Sequence, residues 1–138
     1  MDTILVTGCA GFIGSHVCVL LLSKGYQVIG VDNFDPFYAR SVKERNLEAF
    51  RDHPRFSFYD MDITEGLEEV KEKNILAVIH LAAKAGVRPS IEDPAGYIKA
   101  NITGTQKVHE FMVERSVRKL VFASSSSASF LALYSSYQ

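Results

Sequence analysis

This sequence is short of most features that assign a function class at sight. It has no excess of either charge: 15 basic residues against 16 acidic leave a formal net charge of −1 over 138 residues. That balance gives no electrostatic footprint for phosphate-rich partners, so neither nucleic acid nor a membrane surface is expected as a partner. Long hydrophobic runs are missing too, and nothing approaches the roughly 20 residues of a membrane span. The N-terminus carries no basic segment with a cleavage site behind it, and a cytoplasmic location is the expectation. Cysteine is scarce. Cys9 and Cys18 form neither a CxxC pair nor a metal-ligand spacing and read as small reduced side chains. The histidines, His16, His53, His80 and His109, are dispersed with no HExxH arrangement, so no metal is expected. No internal repeat or linker divides the chain. Its length and 47% hydrophobic content suit one domain with its own core.

What is present is an alternation. Ile4–Thr7 is a short continuous apolar stretch, the pattern of a strand buried on both faces. A helix follows over Phe12–Ser23, with Ile13, Val17, Leu20 and Leu21 at helical spacing and a stop at Lys24-Gly25. Val28–Val31 reads as the second strand. Ser41 and Glu44 fit a capping box opening a helix to about Arg51. Phe56–Tyr59 is the third strand, Asp62-Ile63-Thr64 opens a short helix, and Leu76–Leu81 is the fourth strand. The longest helix is capped by Asp93, with Pro94 in its first turn and a stripe of Ile98, Ile102, Val108, Phe111 and Met112. Gly104 inside that stripe costs about 1 kcal/mol relative to alanine, so close packing against a neighbour is expected there. Lys119–Ala123 is the fifth strand. Strand and helix alternating in this way predict an α/β fold, a doubly wound parallel sheet of about five strands.

Three glycines stand at intervals of three, Gly8, Gly11 and Gly14, where the first strand passes into the first helix. In such a fold this turn lies at the carboxyl edge of the sheet, where ligands bind. A helix N-terminus offers unpaired N–H groups and a positive dipole end to phosphate. Gly8 then serves the tight turn, Gly11 the close approach of a pyrophosphate, and Gly14 the packing of helix against strand. Asp32 ends the second strand, 24 residues after Gly8, where a carboxylate accepts ribose hydroxyls and opposes a 2′-phosphate. Together these predict NAD rather than NADP as the cofactor. Taken alone, Asp32-Asn33 is also an ordinary turn after a strand.

Four stretches, TGCAGFIGSHV, VDNFDPFY, VIHLAAKAGVRPSIEDPAGYIKANITGT and KLVFASSSS, resemble the extended short-chain dehydrogenase/reductase family. Within it they are most similar to nucleotide-sugar epimerases and dehydratases, and especially to UDP-glucuronate 4-epimerase-like members. The resemblance runs from about Thr3 to Ser127. It implies a Rossmann-type NAD-binding domain over 1–127, in which Phe12, Ile13 and Asn33 join the glycines and Asp32 around the cofactor. Asp62 and Ile63 match the pair that holds the adenine. Ala82, Ala83 and Lys84 match the segment lying along the cofactor, and Asn101 the helix asparagine that supports the active site. Ser125 matches the serine or threonine that bonds the sugar hydroxyl being oxidised, and Arg88 a position near the substrate. Plainer readings stand beside each of these. Asp62 can cap a helix, Ala82 and Ala83 can be close packing, and Lys84 and Arg88 solvated loop charges. Asn101 can make a local hydrogen bond, Ser125 can belong to a polar strand exit, and Tyr59 and Tyr97 can be core or rim aromatics.

The family chemistry implies a tyrosine base with a lysine four residues on, and no tyrosine of this chain has one. The segment 128–138, ASFLALYSSYQ, departs from the family's Val-Tyr-Gly. The resemblance therefore implies an NAD-binding part cut short before the catalytic helix and the substrate domain, inactive alone, with UDP-sugars handled only if a partner supplies the rest. The other readings are a non-catalytic NAD-sensing module or a protein-interaction module. Self-association is expected from a fifth strand left at the sheet edge.

Overall fold

All five residues of β1, Thr3–Thr7, are buried, because this strand runs through the middle of the sheet. The computed structural model describes residues 1–125. In it β1 lies between β2 (Gln27–Asp32) and β4 (Ile75–His80), with β3 (Phe56–Asp60) beyond β2 and β5 (Lys119–Phe122) beyond β4. Every pairing is parallel, in the order β3-β2-β1-β4-β5. This is the doubly wound sheet that the alternation implies, and the winding direction switches between β1 and β4. Alternate side chains of β1 enter two cores. Leu5 packs with Ile29, Val78, Val108 and Phe111 beneath one face. Ile4 and Val6 pack with Val28, Cys18, Leu22 and Phe56 beneath the other.

The second core is closed by α1 (Phe12–Ser23) and α2 (Arg40–Glu48). The first is closed by a 3-10 turn at Ile63–Glu65 and by the long helix before β5. That helix is composite: α4 (Pro94–Ile98) passes through a π-helical segment (Lys99–Thr103) into α5 (Gly104–Glu114). A short α3 (Val87–Glu92), absent from the sequence reading, precedes it. Asp93 caps α4 as expected, accepting the Gly96 N–H at 3.1 Å. Gly104 faces the 3-10 turn so closely that an added Cβ would stand 3.0 Å from Ile63 Cδ1, which is the packing its presence implied.

Three local expectations are corrected. Small residues, not the large apolar ones, set the inward face of α1: Gly14, Ser15, Cys18 and Leu22 are buried, whereas Ile13 and Leu20 are mostly exposed. Cys18 and Leu22 face the second core, the absence of a side chain at Gly14 lets the first turn sit on the glycine turn, and together these fix the rotation of the helix. In the long helix Gly104 plays the same part and draws Val108, Phe111 and Met112 inward. Ile98, just before the π-helical segment, and Ile102, within it, fall off that row and are exposed. The capping box is absent as well. α2 begins at Arg40, its N-cap Ala39 offers no side-chain bond, and Glu44 pairs with Arg40 at 3.1 Å instead of reaching back to Ser41. The expected tail 128–138, with its Tyr134, lies outside the described residues.

Candidate cofactor site

Parallel strands leave their carboxyl ends open where the winding direction switches. Here the ends of β1, β2 and β4 border a cleft of about 360 Å³. Its floor is the glycine turn. Gly8 adopts φ +72°, and its N–H donates to Val31 O at 2.8 Å, so the chain reverses tightly against β2. A Cβ at Gly8 would stand 2.9 Å from the Ala82 nitrogen. At Gly11 an added Cβ would meet only Gly8 O, at 3.3 Å. The space beyond Gly11 is therefore cleft, and any side chain there would fill it. Gly14 serves a different contact from the strand packing expected of it: an added Cβ would lie 1.9 Å from Gly8 O. The first turn of the helix sits directly on the glycine turn. Phe12 and Ile13 complete this wall with exposed side chains.

Asp32 lies at the adjoining end of β2, lines the cleft and is buried. Its Oδ2 accepts the Ala10 N–H at 3.1 Å, and its Oδ1 accepts the Phe34 N–H at 2.8 Å and Lys43 Nζ at 3.2 Å. A carboxylate offers about four acceptor positions, and three are taken by the protein. The opening left is chiefly on Oδ2. Lys43, itself buried, also lines the cleft, and sequence reading did not single it out. The available signal is its place four residues before the buried Leu47, on the inward face of α2. Asn33 lines the cleft and accepts the Asp35 N–H at 3.1 Å.

On the opposite wall, Asp62 and Ile63 line the cleft, and Asp62 also caps the 3-10 turn, accepting the Thr64 N–H at 2.9 Å and the Thr64 hydroxyl at 2.7 Å. Ala82, Ala83 and Lys84 run along the rim after β4. Asn101 holds that rim from the π-helical segment, accepting the Lys84 N–H at 2.8 Å and donating to Lys84 O at 3.1 Å. It supports the wall from behind, whereas its neighbour Ala100 lines the cleft. Lys84 Nζ reaches Asp35 across the mouth at 3.7 Å, and Tyr97 donates its hydroxyl to Ala85 O at 2.6 Å, as a rim aromatic would. Arg88 and Ser125 are not brought into this lining. Arg88 is exposed on α3, and Ser125 is exposed three residues beyond β5, where Ala123 is the residue that borders the cleft. Both cysteines are buried. Burial pushes the Cys9 thiol far up and the Cys18 thiol up to about 12. Among the described residues no group of three or more His, Cys, Asp or Glu could hold a metal ion, and no helix is long and apolar enough to cross a membrane.

A parallel sheet with a glycine turn and a helix N-terminus at its switch point, and an acidic residue at the end of the next strand, defines the class of doubly wound dinucleotide-binding proteins. The chain belongs to the NAD dependent epimerase/dehydratase family, whose model matches residues 4–129. It is 47% identical over 130 residues to a UDP-glucuronate 4-epimerase of Thermodesulfobacterium geofontis, covering 92% of this chain and 40% of that protein. A UDP-glucose 4-epimerase of Schizosaccharomyces pombe is 41% identical over 126 residues, covering 89% of this chain and 35% of the relative. The fold superimposes with a TM-score of 0.83 on a UDP-glucuronic acid 4-epimerase mutant of Bacillus cereus, solved with NAD and UDP-4-deoxy-4-fluoro-glucuronic acid. That protein is 38% identical, with 91% of this chain and 40% of that one covered. The chain thus spans about 40% of the length of these relatives and resembles their NAD-binding N-terminal part.

Proposed function

We propose that this chain binds NAD in the cleft, as the cofactor-binding domain (1–127) of a nucleotide-sugar epimerase or dehydratase. The observation that carries the reading is the space at Gly11, open to the cleft under the first turn of α1 and free of any atom a side chain would displace except Gly8 O. A pyrophosphate fits such a place because the N–H groups of the first helical turn point into it and the dipole favours its charge. Asp32 has an acceptor position left for one ribose hydroxyl, and Lys43, which donates to Asp32 Oδ1, stands ready to donate to another. Asp62 and Ile63 border the adenine end, and Ala82 to Lys84 the far end. When bound, NAD supplies a reversible hydride acceptor for a sugar carbon. Expected in a titration of the full chain with NAD is saturable one-to-one binding; a flat titration at millimolar NAD would overturn the proposal.

The relatives' named substrates point to UDP-sugars for the complete enzyme. For this chain we infer no turnover on its own. Proton removal from a sugar hydroxyl needs a base, and an unassisted tyrosine ionises near 10, so under about 1% is charged at neutral pH. None of its tyrosines has a lysine one helical turn away to change that. Incubation with UDP-glucuronate, UDP-glucose and NAD, followed by chromatography, is expected to return the sugars unchanged. Epimer formation abolished by Ser125→Ala or Tyr134→Phe would prove the inference wrong.

A further inference from the structure

We propose that His80 is a positioning residue that ties the cofactor wall at Leu81–Lys84 to the long helix, and that it does so only as the neutral ring with its proton on Nε2. This rests on the reading that the cleft takes NAD, and it is carried by hydrogen-bond bookkeeping around one buried side chain. His80 ends β4 and is 3% exposed. Its Nδ1 lies 2.6 Å from Thr7 Oγ1 and its Nε2 3.0 Å from Thr105 Oγ1. Thr7 Oγ1 also receives the N–H groups of Leu81 and Ala82, each at 3.1 Å, the Leu81 N–H being shared with the Thr7 carbonyl at 3.3 Å.

A hydroxyl oxygen has two acceptor lone pairs and one proton. Both lone pairs of Thr7 are used by the two amides, so its proton goes to His80 Nδ1. The neutral ring then carries its own proton on Nε2 and donates it to Thr105. The Thr105 hydroxyl donates onward to Asn101 O at 2.7 Å. One donor direction runs from β1 through the imidazole to the π-helical segment. The Leu81–Lys84 rim is consequently gripped at one end by Thr7 and at the other by Asn101, and His80 joins the two grips.

A second proton has no place on this ring. On Nδ1 it would face an oxygen with no lone pair to spare, and one of the two amides would have to let go. Around the ring, β1 presents Thr7, β5 presents Phe122 with its ring centroid 5.9 Å away, and the helix presents Thr105 and the titratable His109. Burial first, and the His109 charge second, hold His80 below the ordinary histidine value of 6.5. The unfolded chain takes the proton at that ordinary value while the folded chain resists it. Stability is therefore unaffected by this ring above about pH 6.5 and falls as pH drops below it, where the unfolded chain takes the proton and the folded chain does not.

The test uses the full chain labelled with ¹⁵N. At pH 7.5 the His80 ring should show the shifts of the neutral Nε2–H tautomer; an Nδ1–H tautomer or an imidazolium overturns the proposal, whether or not NAD binds. Three variants then separate the two ends of the link. His80→Asn keeps a polar atom near Nδ1 for Thr7, His80→Gln keeps one near Nε2 for Thr105, and His80→Phe keeps neither. Amide exchange at Leu81 and Ala82 should accelerate in the Phe and Gln variants and stay near wild type in the Asn variant. NAD affinity at pH 7.5 should fall about tenfold in His80→Phe and recover best in His80→Asn. Wild-type stability in urea should fall from pH 7.5 to 5.5 more steeply than that of His80→Asn, which retains His109. Equal pH slopes in those two proteins, or Leu81 and Ala82 exchange no faster in His80→Gln than in His80→Asn, would sink the idea even if His80→Phe does not fold. Wild-type chain that shows the expected tautomer and exchange but ignores NAD would instead remove the cofactor reading alone.

Discussion

The two flanks of β1 are built on different terms. Toward β2 and β3 the structure is closed on itself: five of the six β2 residues are buried, and Asp32 bonds to the glycine turn, its own loop and Lys43 at once. Toward β4 and β5 it is open. No residue of β5 is fully buried, and Val121 and Phe122 are 57% and 54% exposed. On the closed flank the site's geometry is enforced by local packing. On the open one it depends on a long-range relay from Thr7 to Asn101. The end that would hold the adenosine is thus self-sufficient, whereas the end that would hold the reacting sugar is only half walled by the described residues.

The hardest way to break the closed flank is Asp32→Ala. It strands Lys43 as a buried charge, a defect that costs about 3–5 kcal/mol when one partner of a buried pair is removed. Urea unfolding should show it, and a loss below about 1 kcal/mol would mean that this flank is not locked. The same carboxylate is expected to make the wild-type chain prefer NAD over NADP, with Lys43 tempering the margin; equal affinities in a titration would remove Asp32 as the discriminator. Gly14→Ala comes next. Its methyl would press on Gly8 O, and overpacking of this kind costs about 1–3 kcal/mol, read as a lower Tm together with weakened NAD binding. Gly11→Val separates stability from binding. Backbone at φ −72° and ψ 172° accepts a branched side chain, so stability should change by less than about 1 kcal/mol while NAD binding is lost. Retained binding would move the pyrophosphate elsewhere. The smallest effect on folding belongs to the open flank. Val121→Lys should leave stability within about 0.5 kcal/mol, yet reduce self-association measured by light scattering, since charge on an edge strand discourages pairing with another chain. A wild-type chain that is strictly monomeric at high concentration would refute that expectation.

How much of this was legible in the sequence follows the same division. The succession of strands and helices and the limits of α1 were readable because continuous apolar stretches and a glycine turn are local signals. Residues 8, 11, 14 and 32, read from their spacing, and 62 and 82–84, implied by the resemblance, converge on one cleft. What the pattern missed depends on approach between elements. Ile13 and Leu20 carry the hydrophobicity of α1, but Gly14, pressed on the glycine turn, and Cys18, in the core, decide which side faces inward, and a count of apolar residues ranks them the wrong way round. Ile98 and Ile102 mislead because a π-helical segment is invisible to a 3.6-residue period. Lys43 and the His80 relay escaped because a polar residue's partners lie 11 and 73 positions away in sequence.

Cys9 lies wholly out of solvent in the glycine turn, next to the point where an added Gly30 Cβ would come within 2.8 Å of its sulfur. Only a thiolate reacts readily with alkylating reagents, and this thiol is held protonated by burial. Its modification must await a moment when the turn lifts and water enters. The rate at which Cys9 is labelled would thus count how often the glycine turn opens, and any ligand seated on that turn should stretch the interval. The chain carries its own reporter of occupancy, at a position where no foreign probe could be attached without disturbing what it measures.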